Sequence, residues 1–206
     1  MPFLCRMRAV GAVLIVVLWS GATGIGVAAT DEPAQFVKAL GERAIAVLTA
    51  EGSTPEARRA QYRELLDEGF AVNTIGRFVL GRYWRAATPE ERDEYLRLFR
   101  DFVLDTYSQR LDGYAGETFE VIKSRPLDEQ DTMVSTEIRG STGPSIHVDY
   151  RVRTHDGTHQ IVDVLVEGIS LLVTQRAEFA SVINREGFEG LLARLREYGS
   201  GDTVSN

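Results

Sequence analysis

The sequence predicts an α+β domain in which helices pack on one face of a curved antiparallel sheet of about four strands. Apolar residues recur at helical spacing as far as Thr106, and the pattern switches to strand alternation after Gly113–Gly116. It returns to helical spacing after Glu167-Gly168. Because a run of helices comes before one continuous run of strands, the order favours α+β over alternating strand–helix units with a parallel sheet.

Two helices are predicted first. Asp31 and Pro33 begin a helix that continues to about Ala50, with apolar residues repeating along one face. Thr54-Pro55 then has the chemistry of an N-cap followed by a proline in the first helical position. The helix that it begins ends near Gly69.

The next segment, Phe70–Trp84, is dense in large apolar side chains and predicts a short helix over Asn73–Leu80 with a turn at Gly81. Thr88 and Glu91 have the spacing of a capping box. The helix that they begin has the most regular apolar stripe in the chain, which comprises Tyr95, Leu98, Phe99, Phe102, Val103 and Thr106.

Four strands are predicted after the change of pattern. Their expected bounds are Thr118–Lys123, Thr132–Arg139, Ser145–Thr154 and Thr158–Val166. The third strand alternates most cleanly, and its predicted inward side chains are Ile146, Val148, Tyr150 and Val152. The connection His155-Asp156-Gly157 is typical of a hairpin turn.

The chain is predicted to end as two helices. Phe179, Val182 and Ile183 form the stripe of the first, and Gly187 is placed to cap its C-terminus. The second stripe comprises Phe188, Leu191, Leu192 and Leu195.

Residues 1–29 have the three parts of a secretory signal peptide. Arg6 and Arg8 precede an apolar segment too short to span a bilayer comfortably, and Val27-Ala28-Ala29 fits a cleavage site. Cys5, the single cysteine, precedes the apolar segment, so we expect no lipid attachment, disulfide or cysteine-ligated metal in the exported protein. The expected organisation is one domain over residues 30–198 and a disordered tail over 199–206.

The charge balance argues against nucleic acid as a partner. Removing residues 1–29 removes two arginines and no acid, so the net charge changes from −7 to −9. Phosphate backbones and anionic membrane surfaces both repel such a chain.

Two groups of residues suit catalysis or metal binding, and each has a plainer interpretation. His147 and His159 are predicted to face each other across a hairpin with Asp149 and Asp163 nearby; a polar outer sheet face explains them better. Asp163 interrupts an apolar strand, so it needs a partner, and Arg176 is the expected one. The functional alternative for Asp163 is a catalytic base. We predict no metal and no cofactor.

Several spaced motifs carry a resemblance to a known family. Asp163–Leu171 reads DVLVEGISL, and Gly187–Leu195 follows the pattern G-x-x-G-L-L-x-x-L. The other matching positions are Phe78, Leu80, Gly81, Trp84, Thr88–Glu91, Arg176 and Phe179. In this order the chain resembles the MlaC family, also called the toluene-tolerance or ABC-transporter auxiliary family, whose members carry phospholipid in the periplasm of Gram-negative bacteria.

The resemblance implies an NTF2-like fold with an internal lipid cavity and no enzymatic activity. It also implies three partners: phospholipid, an outer-membrane lipoprotein complex, and an inner-membrane ABC transporter complex with its substrate-binding membrane subunit. The expected role is to maintain the lipid asymmetry of the outer membrane. Two alternatives stay open: a carrier of a hopanoid or other isoprenoid lipid, and an NTF2-like isomerase or dehydratase that uses Asp163 with Tyr150 or a histidine.

The predicted lipid-binding residues are the large apolar side chains of the helices and the inward side chains of the strands. They are Phe70, Ile75, Phe78, Val79, Tyr83, Trp84, Phe99, Phe102, Val103, Val121, Val134, Ile138, Ile146, Val148, Tyr150, Val152, Val164, Val166, Ile169, Leu171, Phe179 and Ile183.

We expect the exported protein to begin at or near Thr30, because the cleavage pattern follows an apolar segment of suitable length. N-terminal sequencing of protein released from the periplasm measures this directly. A membrane-bound form that retains Cys5 would contradict it.

Overall fold

The computed structural model describes residues 31–111, 116–140 and 144–199. The predicted signal peptide, and all of the predicted tail except Gly199, lie outside the described residues. The helices are α1 (Glu32–Thr49), α2 (Pro55–Gly69), α3 (Val72–Leu80), α4 (Tyr83–Ala86), α5 (Pro89–Leu111) and α6 (Leu171–Gly199). The strands are β1 (Thr118–Pro126), β2 (Asp131–Arg139), β3 (Ile146–His155), β4 (Thr158–Val166) and β5 (Ile169–Ser170).

The predicted helix start at Asp31, the N-cap at Thr54 and the capping box of Thr88 and Glu91 are confirmed. The side chains of Asp31 and Thr54 each accept a hydrogen bond of 3.2 Å from the backbone N–H three residues further on. Thr88 and Glu91 form the reciprocal capping box: Thr88 Oγ1 accepts from Glu91 N at 3.2 Å, and Glu91 Oε2 accepts from Thr88 N at 2.7 Å. Three helices therefore begin where side-chain chemistry satisfies their first free N–H groups.

The five strands form one antiparallel meander in the order β1-β2-β3-β4-β5. The α+β class is confirmed, with one more strand than predicted. β5 pairs with β4 across a turn at Glu167-Gly168, where φ is 50° and 77°. Positive φ at both turn positions suits a two-residue hairpin, so the sequence interruption at this point reverses the chain at the sheet edge.

The predicted division of the C-terminal segment at Gly187 corresponds to a kink. Residues Leu171–Gly199 are helical except at Gly187, where φ is 76° and ψ is 175°. A glycine adopts this backbone conformation without the steric cost that a side chain would add. The segment after the kink buries Leu191, Leu192 and Leu195 against the other helices.

The core has two parts. A helical cluster packs the inner faces of α2, α3, α5 and α6 around Tyr95 and Phe99, which are both almost fully buried. A smaller sheet cluster of Val37, Val134, Val152 and Ile161 joins α1 to the sheet. α1 crosses β1, β2 and β3, whereas α2, α3 and α6 contact β4. The first helix and the group of α2, α3 and α6 therefore cover different strands of the sheet.

A buried carboxylate ties the β1–β2 turn to β3. The Asp131 side chain has no exposed surface, and it accepts hydrogen bonds of 2.7 Å from Nε of both Arg151 and Arg153. These bonds, that of Arg153 first, hold the pKa of Asp131 below its usual range despite the opposing effect of burial. Charge-assisted bonds of this kind are stronger than neutral ones.

Asp131→Asn is expected to lower the free energy of unfolding by about 1–3 kcal/mol near pH 7, because it removes charge-assisted hydrogen bonds from a buried site. Both arginine side chains are 40% exposed, so we expect less than the cost of breaking a fully buried pair. Chemical denaturation measures the difference. Glu42→Gln, in an exposed pair with Lys38, is the control and is expected to change stability by less than about 1 kcal/mol.

The Asp131 effect is expected to depend on pH. A carboxyl whose pKa is depressed in the folded state stabilises the fold fully above the unfolded value of about 3.9, and this stabilisation is lost as the pH falls through the folded pKa. The difference between wild type and Asp131→Asn should therefore shrink below about pH 4. A difference that stays constant down to pH 2 would contradict this assignment.

Candidate functional site

A cavity of about 340 Å³ lies between the covered face of the sheet and the helices. Every helix except α4 contributes to its wall, together with β1, β3 and β4. The wall is mostly apolar. The volume of the cavity is at the lower end of the roughly 300–1,000 Å³ typical of small-molecule sites. The two clusters of the core thus meet around a space that protein side chains do not fill.

Part of the predicted site lies in this wall. The predicted residues that line the cavity come from α3, α5, β3, β4, the start of α6 and the residue directly after α2. They are Phe70, Ile75, Val79, Phe99, Phe102, Val103, Tyr150, Val164 and Leu171.

The other predicted residues lie outside the wall of this cavity. Some are packed in the protein interior: Val134, Val148, Val152, Phe179 and Ile183. Some are partly buried away from the cavity: Tyr83, Trp84, Val121, Ile138 and Val166. The rest are exposed: Phe78, Ile146 and Ile169.

The difference between the predicted set and the cavity wall has a physical reason. Strand alternation predicts which face a side chain occupies, but not whether the facing space is filled. Val134 and Val152 point to the predicted face and are fully buried there, since they pack in the sheet cluster with Val37 of α1. Ile146 lies at the start of its strand and is 46% exposed.

The first two helices contribute lining residues that are absent from the predicted site. The missed lining residues on α1 and α2 are Val37, Leu40, Gly41, Ala44, Tyr62, Leu65 and Leu66. The others are Leu104, Tyr107, Ser108, Phe119, Ile161, Asp163, Leu172 and Gln175. One available signal was the small residues Gly41 and Ala44 within the apolar stripe of α1, because small side chains leave space beside a helix.

Gly41 has a specific packing role. A methyl group added there would lie 2.6 Å from the ring of Phe119, closer than real contacts permit. The glycine therefore lets α1 approach β1 closely, and both residues line the cavity. The edge of the cavity at this point is set by direct contact between backbone and ring.

Asp163 is held by a different partner from the one predicted. Its Oδ2 accepts a 2.8 Å hydrogen bond from Ser170 Oγ, which itself accepts from Val173 N at 3.1 Å. Asp163 therefore supports a side-chain cap at the start of α6. Arg176, the expected partner, instead lies with its guanidinium 4.9 Å from the ring centroid of Phe78.

The predicted histidine pair does not form. His159 is the cross-strand partner of Thr154, whereas the backbone N–H of His147 bonds Glu167 at the other end of the hairpin. Seven residues of extended chain put them roughly 20 Å apart. The described residues also include no cluster of three or more side chains suited to a metal ion.

The sequence is similar to a known protein family and to proteins whose function has been described. The family model described as MlaC protein matches residues 38–197. The chain is 19% identical over 135 residues to the intermembrane phospholipid transport system binding protein MlaC of Haemophilus influenzae, covering 64% of this chain and 63% of that protein. It is 26% identical over 106 residues to toluene tolerance protein ttg2D of Pseudomonas putida, covering 52% and 49%. The chain thus spans about half to two thirds of the length of these curated relatives.

A solved structure has the same fold. It is described as the phospholipid-binding protein from Ralstonia solanacearum in complex with a phospholipid, and it superposes with a TM-score of 0.71 at 23% identity. The superposition covers 82% of this chain and 97% of that one. The family resemblance in the sequence is confirmed by the match over residues 38–197, and this protein belongs to the MlaC family.

Proposed function

We propose that this protein is a periplasmic carrier that encloses the acyl chains of a phospholipid in its cavity. The observation that carries the proposal is the cavity of about 340 Å³ with an apolar wall, in a chain of the MlaC family. The phospholipid named in the descriptions of the Haemophilus influenzae and Ralstonia solanacearum proteins supports the same cargo.

The energetics suit a carrier. Two acyl chains contain on the order of 30 methylenes, and each one shielded from water is stabilised by roughly 0.8 kcal/mol. Lipid in transit therefore needs an apolar enclosure. Relative to a bilayer the gain is small, because the bilayer already shields the chains, so uptake and release stay close to balance.

The proposed route joins the two membranes. The carrier receives or delivers phospholipid at an outer-membrane lipoprotein complex and at an inner-membrane ABC transporter with its substrate-binding membrane subunit, and so maintains the lipid asymmetry of the outer membrane. The predicted signal peptide supports the periplasmic location. Within the described residues, no helix is both long enough and apolar enough to cross a bilayer. We propose no catalytic role, since Asp163 Oδ2 is engaged by Ser170 Oγ, which caps the start of α6.

Ala44→Trp is expected to reduce the amount of phospholipid that copurifies with the protein, because Ala44 lines the cavity on α1 and an indole would occupy the space of an acyl chain. Lipid extraction and mass spectrometry measure the bound amount. Phospholipid in the wild-type extract supports the proposal, whereas only hopanoid or other isoprenoid lipid would contradict it. The melting temperature of the lipid-free variant should stay close to that of lipid-free wild type.

Two further variants on this chain act as controls. Ala46→Trp places the same side chain on the exposed side of α1 and should keep the wild-type lipid content. Val148→Trp inserts it at a position that is 5% exposed and outside the cavity, where we expect a loss of about 1–3 kcal/mol in stability. If Ala44→Trp keeps its lipid and is destabilised like Val148→Trp, the cavity is not the lipid site.

Transfer between membranes is a separate prediction. Protein loaded with fluorescent phospholipid should deliver it faster to vesicles that contain the reconstituted ABC transporter complex than to vesicles of the same lipid without it. The physical reason is that a docked carrier can pass the lipid on directly, so the acyl chains are not exposed to water during transfer. Equal rates for both vesicles would contradict the proposed partner while leaving phospholipid binding intact.

A further inference from the structure

The polar side chains in the cavity wall are mostly engaged. Ser108 Oγ donates to the carbonyl oxygen of Asp105, and Gln175 Nε2 donates to Glu178 Oε2 at 3.1 Å. Asp163 Oδ2 accepts from Ser170 Oγ, whereas the buried Oδ1 of Asp163 has no partner in the described part of the chain. Among the donors, the hydroxyl of Tyr150 forms no hydrogen bond with any side-chain or backbone group of the described residues.

This hydroxyl is available to whatever occupies the cavity, because Tyr150 lines it. When an apolar cargo displaces water from the wall, the hydroxyl becomes buried, and buried Tyr O–H groups generally have a hydrogen-bond partner. Tyr150 lies in mid-strand, with Val134 and Val164 as its cross-strand neighbours. Its ring meets that of Phe119 edge-on at a centroid distance of 6.4 Å. Protein thus surrounds the ring, and the residue lines the cavity.

The hydroxyl is a neutral donor. Burial raises the pKa of Tyr150 to about 12, so the phenol keeps its proton throughout the physiological range. A cargo that fills the cavity excludes water from this hydroxyl, and the cross-strand neighbours and Phe119 offer only apolar side chains in its place. The missing acceptor is therefore expected on the cargo.

We propose that the Tyr150 hydroxyl donates a hydrogen bond to an ester carbonyl of the bound phospholipid, at the point where an acyl chain joins the glycerol. This inference rests on the proposed function. An ester carbonyl is a neutral acceptor directly attached to an apolar chain, so it can enter the cavity with that chain. A phosphate carries charge, and its burial among apolar side chains would be far more costly.

The proposal makes Tyr150 a specificity-determining residue. It sets how far an acyl chain enters, because the carbonyl is fixed opposite the hydroxyl and the chain beyond it contacts apolar wall. A hydrogen bond from Tyr150 to the carbonyl should also make the protein prefer ester-linked to ether-linked lipids. An ether lacks the carbonyl and leaves the buried hydroxyl without a partner, and sites built around a hydrogen bond discriminate against such analogues.

The test compares two probes with the same head group and the same chains: dioleoyl phosphatidylcholine and its di-O-oleyl ether analogue. Binding of each to delipidated full-length protein is measured by titration. Wild type is expected to bind the ester about 3- to 10-fold more tightly, the size of one net hydrogen bond. Tyr150→Phe keeps the ring and removes only the hydroxyl, so it should bind both probes equally.

Tyr83→Phe is the matched control. Tyr83 lies outside the cavity, and its hydroxyl donates to Asn184 Oδ1 at 2.7 Å, so this variant should keep the ester preference. Thermal melts of the lipid-free proteins check that all three are folded. Equal binding of both probes by wild type, or an ester preference that survives in Tyr150→Phe, would overturn the inference and leave the carrier function standing. Failure of wild type to bind either probe would overturn both.

Discussion

The structure depends on how the helices cover the sheet without filling the space above it. Gly41 brings α1 into direct contact with Phe119 on β1, and Val37 of the same helix packs with Val134 and Val152. The α2, α3, α5 and α6 helices pack mainly with one another. Close packing within each cluster keeps both walls in place, so the volume between them stays open and apolar.

Polar interactions at the ends of the sheet hold it while leaving the cavity apolar. The Asp131 carboxylate, bonded to Arg151 and Arg153, joins the β1–β2 turn to β3. At the other edge, the hydrogen bond between Asp163 and Ser170 places the start of α6 next to β4 and β5. The Asp131 carboxylate is thus used within the protein, whereas Asp163 lines the cavity and keeps its Oδ1 without a partner in the described part of the chain.

An apolar wall of this kind suits reversible transfer of a lipid. The affinity for acyl chains comes from the exclusion of water, and a membrane supplies the same stabilisation. A strong ionic contact inside the cavity would favour the carrier over both membranes and slow release. A single neutral hydroxyl such as that of Tyr150 instead orients the lipid and strengthens its binding only slightly. A net hydrogen bond contributes only about 0.5–1.5 kcal/mol.

The sequence by itself determined the local features and the family. The helix starts at Asp31, Thr54 and Thr88 and the break at Gly187 follow from interactions within a few residues, and strand alternation interrupted by short turns predicts the meander. Tertiary structure alone decided which apolar faces meet protein and which meet empty space. Periodicity describes one element at a time, whereas a cavity is a property of several elements together, so the full set of lining residues on α1 and α2 came only from the tertiary structure.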